Sequence, residues 1–218
     1  MEIIERYIIN TNWITFICFD VFLLLVLARS ISSYHFRNFM MLFATEKYVK
    51  IHGDDESRTS IHAVLTTFQF VAMPLFIFVI AYRLKIIEQI YFLDFLKLVG
   101  VYFAFFASRF FLERIVAFGF KINWALTAFW SERQTYQNYL SVLFFPITLI
   151  LIYNSPLAEI LAKPVAIIAL ILALFAFFVI IKHHRKHFYN APFYFILYLC
   201  TFQIAPYIVA YLLITRSY

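Results

Sequence analysis

The chain has 218 residues, of which 64% are hydrophobic and only 14% charged, and its mean hydropathy is +0.84. Soluble domains carry roughly 45–50% apolar and about 25% charged residues, so an ordinary soluble domain is excluded and a bilayer is required. The net charge of +6 is not gathered into the dense, polar basic surface that a nucleic-acid reader needs, and no nucleic-acid partner is expected.

No polar block is long enough to fold separately, so residues 1–218 read as one integral membrane domain. The first residues, MEIIERYIINTNW, carry Glu2 and Glu5 and lack the basic start of a signal peptide. A first span is expected over 12–28, with Asp20 near its middle. A carboxylate facing lipid at that depth costs roughly 2.5–3.5 kcal/mol, so Asp20 is expected to face other helices. Residues 29–60 form the longest polar connector. Its first half, YHFRNFMMLFATEKYVKI, is amphipathic and suits the membrane surface. Asp54, Asp55 and Glu56 lie in its second half and read as a solvated loop, lacking the alternating oxygen ligands of a Ca²⁺ site.

Further spans are expected over 61–82, 96–111, 136–153, 165–181 and 193–214. The fold class is therefore all-α, a polytopic bundle of about six spans with amphipathic interfacial connectors. Pro74, Pro146 and Pro206 fall inside three of the spans and are read as static kinks, because the paired Gly/Pro interruptions of a transporter are missing. The connectors and adjoining span ends on the side of 29–60 hold twelve of the eighteen Lys and Arg: Arg29, Arg37, Lys47, Lys50 and Arg58; Arg109, Arg114, Lys121 and Arg133; and Lys182, Arg185 and Lys186. The positive-inside rule then places that side in the cytoplasm and both termini outside it, against three adverse charges at Arg83, Lys85 and Lys97.

The stretch from Arg109 to Tyr139 stands apart, because it mixes aromatics with charges and amides. Arg109 and Glu113 are four apart and suited to pair on one helix face. With Asp20 and Gln203 they make up the intramembrane polar candidates. Residues 119–130, with Trp124, Phe129 and Trp130, suit an interfacial depth. Arg114, Lys121, Arg133, Gln134, Gln137 and Asn138 are expected to form a partner- or lipid-facing cytoplasmic surface. Ala158, Ala162, Ala166, Ala169, Ala173 and Ala176 recur every three or four residues, a stripe that permits close helix approach.

No catalytic set, phosphate-binding loop or dinucleotide fingerprint is present, so the chain is not expected to be an enzyme and no catalytic residue is assigned. His183 and His187 are four apart but lack further ligands, and with Lys182, Arg185 and Lys186 they read as a basic stop. Neither a metal nor another cofactor is expected, and Cys18 and Cys200 have no redox-type spacing.

The C-terminal FYFILYLCTFQIAPYIVAYLLI, above all Tyr198-Leu199-Cys200-Thr201 and Pro206, resembles the end of a family of small multi-pass membrane proteins of Bacteroidota that share a domain of unknown function. An Arg-bearing third span, an aromatic and polar connector and Phe145-Pro146 in the fourth span extend the resemblance over about the last 120 residues. Where the family is expected to carry an acidic residue, this chain has the neutral Gln203. The resemblance implies an inner-membrane location. The expected function is a non-enzymatic accessory or scaffold subunit that contacts the lipid bilayer and other membrane-protein subunits. The alternative is a small transporter or lipid-handling protein with an intramembrane polar cavity.

Overall fold

The computed structural model describes residues 12–41, 56–87, 90–120 and 123–188. These form six helices: α1 (Asn12–Ile31), α2 (Ser33–Met40), α3 (Glu56–Arg83), α4 (Phe92–Phe120), α5 (Asn123–Tyr153) and α6 (Ser155–Phe188). All except α2 are long and apolar enough to cross a membrane. The chain is thus an all-α membrane protein, with five candidate spans among the described residues. The sixth expected span, 193–214, lies outside them.

The chain divides into two compact units. One comprises Met1–Val99 and Gln137–Leu170, the other Gly100–Tyr136 and Ile171–Tyr218. In the first, α1 buries Ile14, Cys18, Val21 and Ala28 on one face and packs against α3. On α3, Ile61, Leu65, Phe68, Ala72, Leu75 and Val79 are buried, a spacing of three or four residues that defines one helix face. Leu75, Phe78 and Val79 join Ile14, Cys18, Phe95, Leu151 and Ala158 in a single core. Phe76 stacks on Phe144 at 4.7 Å, and Phe68 meets Phe145 edge-on at 5.7 Å.

Helix ends meet in this unit. Tyr153, the last residue of α5, donates its hydroxyl to Thr15 near the start of α1 at 3.0 Å. Trp13 lies against Phe92 and Phe95 at the start of α4, with ring centroids 5.5 and 5.4 Å apart. Arg83, closing α3, donates from Nε and Nη2 to the Leu151 carbonyl at 3.0 and 2.7 Å, and from Nη2 to the Ile152 carbonyl at 3.2 Å. The last carbonyls of a helix have no partner within it, and a cation there also meets the negative end of the helix dipole. Arg83 therefore ties α3 to α5. Within this unit, the starts of α1 and α4 lie at the end where α3 and α5 finish.

Just beyond Arg83, Ile86 N–H donates to the Ala81 carbonyl and Lys85 N–H to Tyr82, while Lys85 has φ 59°. This is a Schellman stop with lysine at the left-handed position that usually holds glycine. At the next junction, Asn154 Oδ1 accepts from the Leu157 N–H at 3.2 Å and caps α6.

Two expected connectors are corrected. Residues 119–130 were expected to form an interfacial link between two spans, yet α4 runs to Phe120 and α5 starts at Asn123. Residues 154–164 were expected to be a connector as well, yet α6 begins at Ser155 and continues through Pro164. Pro156 lies in the first turn of α6, where the missing N–H is tolerated. Pro74 and Pro146 likewise sit inside the unbroken helices α3 and α5.

Two stability changes are expected. Lys85→Gly removes the left-handed strain and raises stability by about 1 kcal/mol. Arg83→Gln strips α5 of its cap and lowers stability by about 1.5–3 kcal/mol. Thermal unfolding of the detergent-solubilised variants, followed by circular dichroism, checks both signs.

Candidate functional site

The second unit holds a buried charge network. Arg109 and Glu113 sit one turn apart on α4, only 2% and 1% exposed, with Arg109 Nε 3.0 Å from Glu113 Oε1. Arg133 of α5 approaches the same carboxylate through both terminal nitrogens, Nη1 to Oε1 at 2.6 Å and Nη2 to Oε2 at 3.1 Å. Such a fork is the strongest geometry available to an arginine and a carboxylate. Glu132, beside Arg133 in sequence, is also buried and has interactions of its own.

The Arg109–Glu113 pair expected from spacing is present. Arg133 instead was expected on a cytoplasmic surface and is a correction, because the polar run it belongs to is helical and turns this side chain onto α4. Glu113 set between Arg109 and Arg114 in an apolar stretch was the signal available. A carboxylate holding three charge-assisted hydrogen bonds at 1% exposure is poorly placed to act as a base or nucleophile, and well placed to lock two helices.

Arg114 is exposed and lies over the rings of Phe110 and Trp130, at 5.2 and 6.0 Å from their centroids. This cation–π contact holds the guanidinium at the surface. The Trp130 Nε1 atom is buried without a hydrogen-bond partner.

The first unit carries a separate polar row. Asn138, fully buried, donates from Nδ2 to Thr66 Oγ1 at 3.2 Å, and Thr66 Oγ1 lies 3.5 Å from His62 Nδ1. The Ser141 hydroxyl donates to the Asn138 carbonyl at 2.8 Å. Asn138 is a second correction to the expected outward surface, since the period of α5 carries it inward. Gln134 and Gln137 are half-buried, and Gln137 Oε1 has no hydrogen-bond partner.

Asp20 is exposed, contrary to the expectation that it faces other helices. The apolar stripe of Ile14, Cys18, Val21 and Ala28 occupies the packing face of α1, which leaves Asp20 outside with Phe16, Phe19, Leu23 and Leu27. Along the alanine stripe, Ala158, Ala162 and Ala176 are buried, Ala166 and Ala169 half-buried, and Ala173 exposed. Lys121 and Gln203 lie outside the described residues. Among the described residues, no group of three His, Cys, Asp or Glu is placed to hold a metal ion.

Glu113→Gln leaves the buried Arg109 and the half-buried Arg133 without their shared anion. A loss of about 3–5 kcal/mol is expected, recovered in part when Arg133→Gln is added, as a thermal-unfolding double-mutant cycle would measure.

Among known proteins, the comparisons with curated sequences and with solved structures gave no match. A family model, the domain of unknown function DUF4271, matches residues 14–214. The match covers nearly the whole chain rather than the last 120 residues alone, and it takes in α1 with Asp20 as well as the charge network. The chain belongs to the DUF4271 family.

Proposed function

We propose that this protein is a non-enzymatic accessory or scaffold subunit of a membrane complex, seated in the inner membrane with both termini outside the cytoplasm. The observation that carries the reading is Asp20, exposed on α1 among Phe16, Phe19, Leu23 and Leu27. A carboxylate facing lipid near mid-span costs roughly 2.5–3.5 kcal/mol. A transmembrane helix from another subunit, bearing a basic side chain opposite Asp20, removes that cost and covers the aromatic face beside it. Polar contacts between helices favour such association in lipid.

The internal charges support the same reading. Glu113 is closed by Arg109 and Arg133, as a structural brace would be. A transporter or lipid-handling protein needs polar groups converging on a water-filled space, whereas Asn138, Thr66 and His62 hydrogen-bond in a row. The excess of Lys and Arg on the side of residues 29–60 supports the orientation.

Purification from native membranes in mild detergent, with mass spectrometry of the eluate, tests the reading. A membrane protein is expected at fixed ratio with the parent chain and with Lys97→Gln, and its yield is expected to fall at least about tenfold with Asp20→Leu, equivalent to 1.4 kcal/mol. Recovery of the parent chain alone, or a partner indifferent to Asp20→Leu, contradicts it.

A further inference from the structure

The end of α1 and the short helix α2 frame a hollow that plays no part in the sites above. Ser32 between them is extended, with φ −157° and ψ 106°, and the chain turns there. On its inner side α2 buries His35 and Phe39, four residues apart, and Phe39 meets Tyr139 edge-on at 5.8 Å. The helix is thereby fixed to the bundle. On its outer side, Arg29, Ser33, Tyr34, Phe36, Arg37 and Met40 line an open hollow of about 470 Å³.

Arg29 and Arg37 are both exposed, and neither side chain has an acidic partner among the described residues. Two cations facing one hollow with no counter-charge among the described residues are complementary to an anion. The other walls narrow its identity, since Tyr34 and Met40 are 51% and 44% exposed, more apolar surface than a dissolved ion needs. Arg29 also lies in the last turn of a helix long enough to cross the bilayer, which sets it at headgroup depth.

We propose that this hollow binds the headgroup of an anionic phospholipid, its phosphate held between Arg29 and Arg37, with Tyr34, Phe36 and Met40 against the glycerol and the first acyl methylenes. Guanidinium groups match phosphate oxygens through paired N–H donors. A choline lipid carries the same phosphate, but its quaternary amine meets two like charges. The site therefore discriminates by net headgroup charge.

Native mass spectrometry of the full-length protein, titrated with phosphatidylglycerol or phosphatidylcholine of matched acyl chains, tests the proposal. Phosphatidylglycerol is expected to bind roughly tenfold more tightly, and Arg29→Gln with Arg37→Gln to weaken it about 25-fold, at about fivefold for each arginine near a membrane surface. Ser33→Trp, which fills the hollow and keeps its charge, is expected to weaken it as well. Lys97→Gln is expected to leave binding unchanged, and excess inorganic phosphate to displace no lipid. Equal binding of the two lipids overturns the proposal, as does an unaltered affinity in the double variant or in Ser33→Trp. Loss of binding in Lys97→Gln overturns it too, and displacement by inorganic phosphate reassigns the hollow to a free anion. Should the double variant fail to fold, the parent's lipid preference and Ser33→Trp decide in the same sense. The result is distinct from that for the partner helix at Asp20, because it is read on the purified chain alone.

Discussion

Inside a bilayer no water is at hand for an orphaned carbonyl, so backbone groups must be satisfied within the protein itself, and a charge there is costly unless paired. Two arginines show how this chain meets that constraint. Arg83 ends α3 and satisfies the last carbonyls of α5, which joins two spans at the point where α5 would otherwise be unfinished. Arg133 extends from α5 to both oxygens of Glu113 on α4, where Arg109 also donates to Oε1. In both places a long cationic side chain does between helices what solvent does for a soluble protein. Apolar burial alone would not fix the helices, because lipid is as apolar as leucine.

Much of the architecture was legible in hydropathy. The expected spans at 12–28, 61–82, 96–111, 136–153 and 165–181 fall within α1, α3, α4, α5 and α6, all of which run longer. The excess length has a physical cause. Arg133, Gln134, Gln137 and Asn138 read as a partner- or lipid-facing surface ahead of and at the start of the fourth span because they are polar, but polarity decides neither backbone conformation nor which face is buried. Thr135, Asn138, Ser141, Phe145 and Thr148 are all buried and recur every three or four residues, a helical period that runs from the polar stretch into the apolar one. Weighing that period above polarity would have carried α5 back through the connector.

Other features had weaker signals. The stop of α3 at Lys85 has no glycine to announce it, and the left-handed lysine is visible only in the backbone. Arg83 read as a charge opposing the topology, when its guanidinium reaches the end of another helix 68 residues away in sequence. The alanine stripe was plain as a pattern, yet spacing cannot say which part is covered; Ala158, Ala162 and Ala176 are buried while Ala173 is exposed. Asp20 follows the same lesson. The cost of lipid exposure argues for a partner but not for a partner in the same chain, and the apolar stripe of α1 takes the internal face.

The account rests on the polar groups of α5 being internal braces and not the lining of an aqueous path. Substituted-cysteine accessibility tests this directly, with Cys18 and Cys200 replaced by alanine and single cysteines placed at Thr135, Asn138 and Ser141 in reconstituted vesicles. A membrane-impermeant thiol reagent is predicted to leave all three unlabelled until the protein is unfolded. Rapid labelling of two or more in the folded protein would reveal a water-filled cavity and contradict the account.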